Sequence, residues 1–199
     1  MSQSIENRVF NRICSKNKGW VFTPNNFLDL GNRTAIDQAL GRLARSGTIR
    51  RLARGIYDYQ EKHPTLGDLP PNYERIAQAL AGRDSLKIQP SGAYAANLLG
   101  LTEQVPARIV FLTDGPNRKV QINKQQIMLK RTTPKNMATA GRVSGLVIQA
   151  LRYLGQDHAD DNIIGMLKKR LSNADKRQLM NDLRYAPAWI GNIFRQIQE

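Results

Sequence analysis

The chain has 199 residues, 41% hydrophobic and 23% charged, which suits a globular protein with a real core and argues against disorder. Thirty Lys and Arg against 16 Asp and Glu give a net charge of +14. That excess attracts polyanions over long range and narrows the partner to nucleic acid, an anionic membrane surface or an acidic protein. No run approaches the roughly 20 apolar residues of a spanning helix. The start, Met1-Ser-Gln-Ser-Ile-Glu, lacks the basic-then-apolar order of a signal peptide. Cys14 has no second cysteine to pair with, which fits a reducing compartment. The expectation is a cytoplasmic protein with no membrane partner.

In chain order, Ile5, Val9, Ile13 and Cys14 sit at helical spacing, with Lys18-Gly19 as the stop and Cys14 expected in the core. Trp20-Val-Phe reads as a short strand. Thr23-Pro24 starts a second, very short helix carrying Phe27, Leu28 and Leu30, which Gly31 closes. Asn32 caps a third helix that runs to about Ser46 and stops at Gly47. Thr48 to Tyr59 reads as two strands turning near Arg54-Gly55. Trp20, Phe22 and Phe27 read as core residues, and Tyr57 and Tyr59 as half-buried strand residues.

The third helix carries the functional signal. At 100° per residue, Ile36, Ala39, Leu40 and Leu43 share one apolar stripe, and Thr34, Gln38, Gly41, Arg42 and Arg45 lie opposite, with Asp37 on the flank. Such a helix fits the major groove, where Gln can bond adenine twice, Arg can bond guanine twice and Thr can meet a thymine methyl. Thr34, Gln38 and Arg42 are the expected base readers, and Arg33 and Arg45 the expected phosphate contacts. Arg50, Arg51 and Arg54 in the hairpin form a basic wing suited to the backbone or minor groove. The expected module is a winged helix-turn-helix over residues 1–63, with double-stranded operator DNA as partner, in inverted repeats if two copies bind together. An arginine-bearing face can equally be plain solvated surface, and a winged helix can serve as a protein–protein unit.

Residues 60–72 hold three prolines and a glycine without apolar periodicity, so a domain boundary is expected there. Residues 1–63 carry 11 basic against 5 acidic residues (+6), and residues 64–199 carry 19 against 11 (+8). The second part, 64–199, reads as α+β with a small sheet and a C-terminal helical cluster. Its elements are a helix from Tyr73 to Arg83, a strand at 86–89, and a Ser91-capped helix ending at Gly100. A buried strand at 109–112, a turn at 114–117 and a strand or hairpin over 119–130 follow. A long helix from Arg142 and shorter helices complete it. Arg108, Arg118, Lys119, Lys124, Lys130, Arg131 and Lys135 gather around this sheet as a possible second basic face, for DNA or an acidic partner. Lys168-Lys169-Arg170 reads as a solvated helix flank.

Nothing here points to catalysis. His63 and His158 are the two histidines. His158 with Asp157, Asp160 and Asp161 has the composition of a metal site, but adjacent aspartates more simply begin a helix. Ser91 lacks a G-x-S-x-G context, and no P-loop, G-x-G-x-x-G or cysteine pair occurs. No enzyme, metal or cofactor is expected.

A resemblance follows from two stretches. Trp20 to Tyr57, with Val-Phe-Thr-Pro, Asp29-Leu-Gly-Asn-Arg-Thr-Ala-Ile-Asp-Gln-Ala-Leu-Gly-Arg-Leu and Gly47-Thr-Ile-Arg-Arg-Leu-Ala-Arg-Gly-Ile-Tyr, resembles the N-terminal domain of AbiEi-type antitoxins. Pro90-Ser-Gly-Ala-Tyr-Ala-Ala-Asn-Leu-Leu-Gly-Leu-Thr-Glu-Gln-Val-Pro and Val110-Phe-Leu-Thr-Asp-Gly-Pro continue it. The resemblance implies a repressor of its own operon whose C-terminal domain neutralises a nucleotidyltransferase-like toxin, with direct contact to that toxin left open. The alternatives are a stand-alone regulator responding to a ligand or partner and, with less support, an enzyme acting on nucleic acid.

Overall fold

A computed structural model describes residues 4–82 and 86–199. By contact, the chain divides into two units, Met1–Leu86 with Val120–Ile122, and Lys87–Lys119 with Asn123–Glu199. The fold is α+β with small sheets.

In the first unit, helix α1 (Ile5–Cys14) starts where Ser4 Oγ accepts the Asn7 N–H at 3.2 Å. It ends at Cys14, before the expected Lys18-Gly19, where the Ser15 N–H caps onto Asn11. Cys14 is exposed rather than in the core. Helical phase explains this: Val9 and Ile13 lie 40° apart and take the inward direction, whereas Cys14 lies 140° from Val9. Strand β1 (Val21–Phe22) leads to a 3₁₀ turn at Pro24–Phe27, which replaces the expected short α-helix. Asn26 Oδ1 accepts the Thr23 N–H at 2.8 Å and closes that turn locally.

Helix α2 (Arg33–Arg45) is capped by Asn32, whose Oδ1 accepts the Ala35 N–H at 2.9 Å. Gly47, at φ +74°, supplies the left-handed residue after its end. β2 (Arg50–Ala53) and β3 (Ile56–Asp58) form a hairpin through Arg54-Gly55, and the three strands order as β1-β3-β2. Val9, Ile13, Phe22, Phe27, Ile36, Leu40 and Ile49 close one core beneath this sheet and the two helices, with Tyr57 buried in it and Trp20 and Tyr59 at its margin.

The proline-rich stretch is not a free linker. It makes a small hairpin, β4 (Lys62–His63) with β5 (Gly67–Asp68), and then helix α3 (Tyr73–Ala81), which packs back on β1 and β3. The first unit therefore runs past the expected boundary at residue 63. Arg83, expected to end this helix, lies outside the described residues.

A four-stranded sheet of β6 (Ile88–Ser91), β7 (Arg108–Thr113), β8 (Arg118–Ile122) and β9 (Gln125–Arg131) has the order β6-β7-β9-β8 and belongs to the second unit except for Val120–Ile122 of β8. β6 runs antiparallel to β7, and β7 runs parallel to β9. The β8–β9 turn at Asn123-Lys124 puts Asn123 at φ +52°, a conformation asparagine tolerates well. Helix α4 (Gly92–Leu98) follows β6, and Tyr94 meets Phe111 of β7 edge-on at 5.5 Å. Ser91 does not cap α4 with its side chain: its Oγ donates to Gln149 Oε1 at 3.2 Å.

A short helix, α5 (Pro134–Met137), precedes α6 (Val143–Leu154), which is buried on most of its circumference. Helices α7 (Asp161–Arg170), α8 (Asn173–Asn181) and α9 (Ala188–Gln198) pack with α6 around Val147, Leu151, Leu167, Leu179, Ile190 and Phe194. The buried Asp182 ties the start of α6 to the end of α8. It accepts from Arg142 at 2.8 Å, from Gln178 at 2.9 Å and from Ser144 Oγ. Asp160, one of the aspartates near His158, caps α7 by accepting the Ile163 N–H at 2.9 Å.

Candidate nucleic-acid interface

The outer face of α2 and the β2–β3 hairpin enclose an open groove of about 930 Å³ within the first unit. Thr34, Asp37, Gln38, Gly41, Arg42, Ala44 and Arg45 line it from the helix, and Arg51 and Tyr57 from the hairpin. The apolar stripe of α2 fixes this orientation: Ile36, Ala39 and Leu40 are wholly buried, so the opposite side chains have to face out. Nothing lies within 4 Å of where a Gly41 Cβ would stand, so the middle of the groove floor is bare backbone.

The eight predicted residues fall into two groups. Thr34, Gln38, Arg45, Arg51 and Arg54 are exposed and form no ion pair among the described residues, although Arg45 Nε touches its own helix at Gly41 O, 3.3 Å away. Arg33, Arg42 and Arg50 are already engaged. Arg33 donates to Asp37 at 2.9 Å and to Asn25 at 3.1 Å. Arg42 donates to Glu6 of α1 at 2.5 Å, a contact bridging 36 residues of sequence. Arg50 grips the buried Asp58 with two donors, at 2.6 and 3.1 Å, and also reaches Leu69 O. Its charge is spent inside the fold, and Arg50 does not line the groove.

The Arg50–Asp58 pair turns on a strand irregularity. A two-residue turn at Arg54-Gly55 with regular pairing would set Arg51 opposite Asp58. The register instead pairs Arg50 with Asp58 and Arg51 with Tyr57, because it shifts between Arg51 and Ala53. The bulge thus sends Arg50 to the carboxylate and leaves Arg51 for the groove. Sequence reading missed Glu6 and Asp58 as partners, and neither pairing has a local signal. Arg12, which sequence reading left aside, is held by Asp29 at 2.6 and 2.7 Å, and that hydrogen bonding raises its pKa above the ordinary arginine value.

The sequence profile of a family of unknown function, DUF6088, matches residues 8–179. The chain belongs to that family. Of solved structures, that of the RV2827C protein from Mycobacterium tuberculosis is similar over 98% of this chain and 76% of that chain, at 16% identity and a TM-score of 0.46. A search of curated proteins finds no significant match. No described helix of this DUF6088 member is long and apolar enough to cross a membrane.

The second set of basic residues divides as well. Arg118 and Lys119 begin β8, Lys130 and Arg131 end β9, and Lys135 follows on α5. Arg108 starts β7 opposite Gln126, and Lys124 lies in the β8–β9 turn, so both sit at the other end of the sheet. Of Lys168-Lys169-Arg170, Lys168 is half-buried and Lys169 and Arg170 are exposed, with the Arg170 guanidinium over Gly100, about 2.4 Å from where a Cβ there would stand.

Proposed function

We propose that this protein is a sequence-specific DNA-binding regulator whose first unit works as a winged helix-turn-helix. The observation that carries the reading is the α2 groove. It offers an amide, a hydroxyl and two arginines without an ion pair among the described residues around a bare glycine, on a helix whose other face is locked into a core. Gln38 and Thr34 lie in the first half of α2, the part that reaches base edges when a helix enters the major groove. Arg45 and Arg51 supply phosphate contacts from the helix end and the hairpin, and Arg54 does so from the wing tip. Arg42 joins them by exchanging Glu6 for a phosphate or a guanine edge.

The test is a titration against the duplex upstream of the protein's own gene, with unrelated duplex as competitor. Saturable binding that survives competitor and weakens at least tenfold in Gln38→Ala/Arg45→Ala supports the reading. Equal affinity for unrelated duplex at all salt concentrations removes sequence reading from α2.

The resemblance to AbiEi-type antitoxins extends the proposal: the protein represses its own operon, and its second unit neutralises a nucleotidyltransferase-like toxin. The segment that carries most of the likeness, Pro90 to Pro106, turns through Gly92 at φ +61° into α4, which packs along α6. Co-expression with the neighbouring gene driven from an unrelated promoter checks this. Growth rescue supports an antitoxin, and continued toxicity leaves a stand-alone regulator.

A further inference from the structure

We propose that one end of the four-stranded sheet in the second unit is a second polyanion site that grips the phosphate backbone of duplex nucleic acid without reading its sequence. Topology assembles it. β7 and β9 are parallel, and Thr113 pairs with Arg131, so their C-terminal ends coincide. β6 is antiparallel to β7 and pairs Ile88 with Thr113, which brings Lys87 to the same end. β8 reverses into β9 through a two-residue turn, which brings Arg118 and Lys119 there too.

Six cations, Lys87, Arg118, Lys119, Lys130, Arg131 and Lys135, therefore share one sheet end, although sequence scatters them over 49 positions. All six stand at exposed positions.

Charge balance distinguishes this end from the arginines that the fold pairs internally. Arg33, Arg42, Arg50 and Arg142 each have a carboxylate partner. Lys87, Lys119, Lys130, Arg131 and Lys135 form no ion pair among the described residues. The carboxylate in the adjoining loop, Asp114, instead accepts the backbone N–H of Lys87 at 3.2 Å. Beside the single charge of Asp114 these cations leave an excess of like charge, and its repulsion is relieved when a polyanion arrives. The scaffold beneath them is fixed: Asn117 Oδ1 accepts the Arg131 N–H at 2.7 Å, and Thr113 Oγ1 accepts the Gly115 N–H at 3.1 Å.

Four strands at about 4.8 Å spacing span roughly 14 Å. That matches about four phosphates along one strand of a duplex, at roughly 3.4 Å of axis each. None of the six positions, nor the loop 114–117, carries an aromatic ring, so the base-stacking platforms of single-strand binders are missing from this end. The site is independent of the α2 groove, and its failure leaves the groove untouched.

The experiment measures affinity of the full-length protein for an unrelated 24-base-pair duplex from about 50 to 200 mM salt. Lys119→Gln/Lys130→Gln/Arg131→Gln/Lys135→Gln is compared with wild type and with Arg108→Gln/Lys124→Gln at the opposite end. The expected result is a slope of log affinity against log salt shallower by about 3 to 4 for the quadruple variant, about 0.9 per charge, with the opposite-end variant unchanged. Each single variant, Lys119→Gln or Lys130→Gln, loses about 0.9 and guards against misfolding of the quadruple. An unchanged slope in the single variants overturns the proposal. So does an equal loss in the opposite-end variant, tighter binding of single-stranded DNA, or full competition by polyglutamate at equal charge. Loss of operator preference in Gln38→Ala/Arg45→Ala, with the sheet-end contribution intact, shows that the two sites are separate.

Discussion

Replacing Gly41 by alanine tests the groove through two quantities that should move in opposite directions. Gly41 lies in the interior of α2, Arg33–Arg45, and nothing lies within 4 Å of where its Cβ would stand. Alanine at an exposed helix interior is more stable than glycine by about 1 kcal/mol, because glycine loses more backbone entropy on folding. For a unit of this size, that should raise Tm by about 4–8 °C. The new methyl group, however, stands on the groove floor between Gln38 and Arg45, where a helix entering the major groove comes closest. Operator affinity should fall by about 1–2 kcal/mol, roughly 5- to 30-fold. Melting followed by Trp20 fluorescence in a Trp189→Phe background reports on the first unit, and operator titration reports on the groove. A lowered Tm would mean that Gly41 is not in open space. A raised Tm with unchanged operator affinity would refute the close approach of this face to DNA.

Four further outcomes are expected. Asp58→Ala strips the Arg50 guanidinium of its buried partner and should cost about 3 kcal/mol of stability by urea melt, within the range for breaking a buried ion pair. Glu6→Gln frees Arg42: stability should change by less than about 1 kcal/mol. Affinity for unrelated duplex should rise in the same variant, and its salt slope should steepen by about 0.9. Asp182→Ala removes the acceptor of three donors at the α6–α8 junction and should destabilise the second unit by about 3 kcal/mol, read through Trp189 fluorescence. Cys14 should react fully with a thiol reagent under native conditions, at a rate unaffected by low urea; reaction only on unfolding would contradict its exposed position.

Elements whose signals are local were legible in the sequence. Asn32 as cap, Gly47 as stop and the period of Ile36, Ala39, Leu40 and Leu43 placed α2 and its outward face, because caps and helical phase act within a few residues. The turns at Arg54-Gly55 and Asn123-Lys124 were readable for the same reason. Composition and charge likewise set which classes of partner to expect before any fold was known.

The state of each arginine was decided by tertiary structure. Arg42 and Arg45 both line the groove, yet one meets Glu6 across 36 residues and the other forms no ion pair among the described residues. Arg50 and Arg51 are neighbours, yet a one-residue strand irregularity commits the first to Asp58 and releases the second. The proline-rich stretch read as a linker because its residues lack periodicity, but α3 beyond it returns to β1 and β3. The cationic sheet end arises only because a parallel pair and two antiparallel neighbours align distant strand ends. Periodicity fixes which way a side chain points, whereas its electrostatic partner depends on strand register and on which distant segment folds against it.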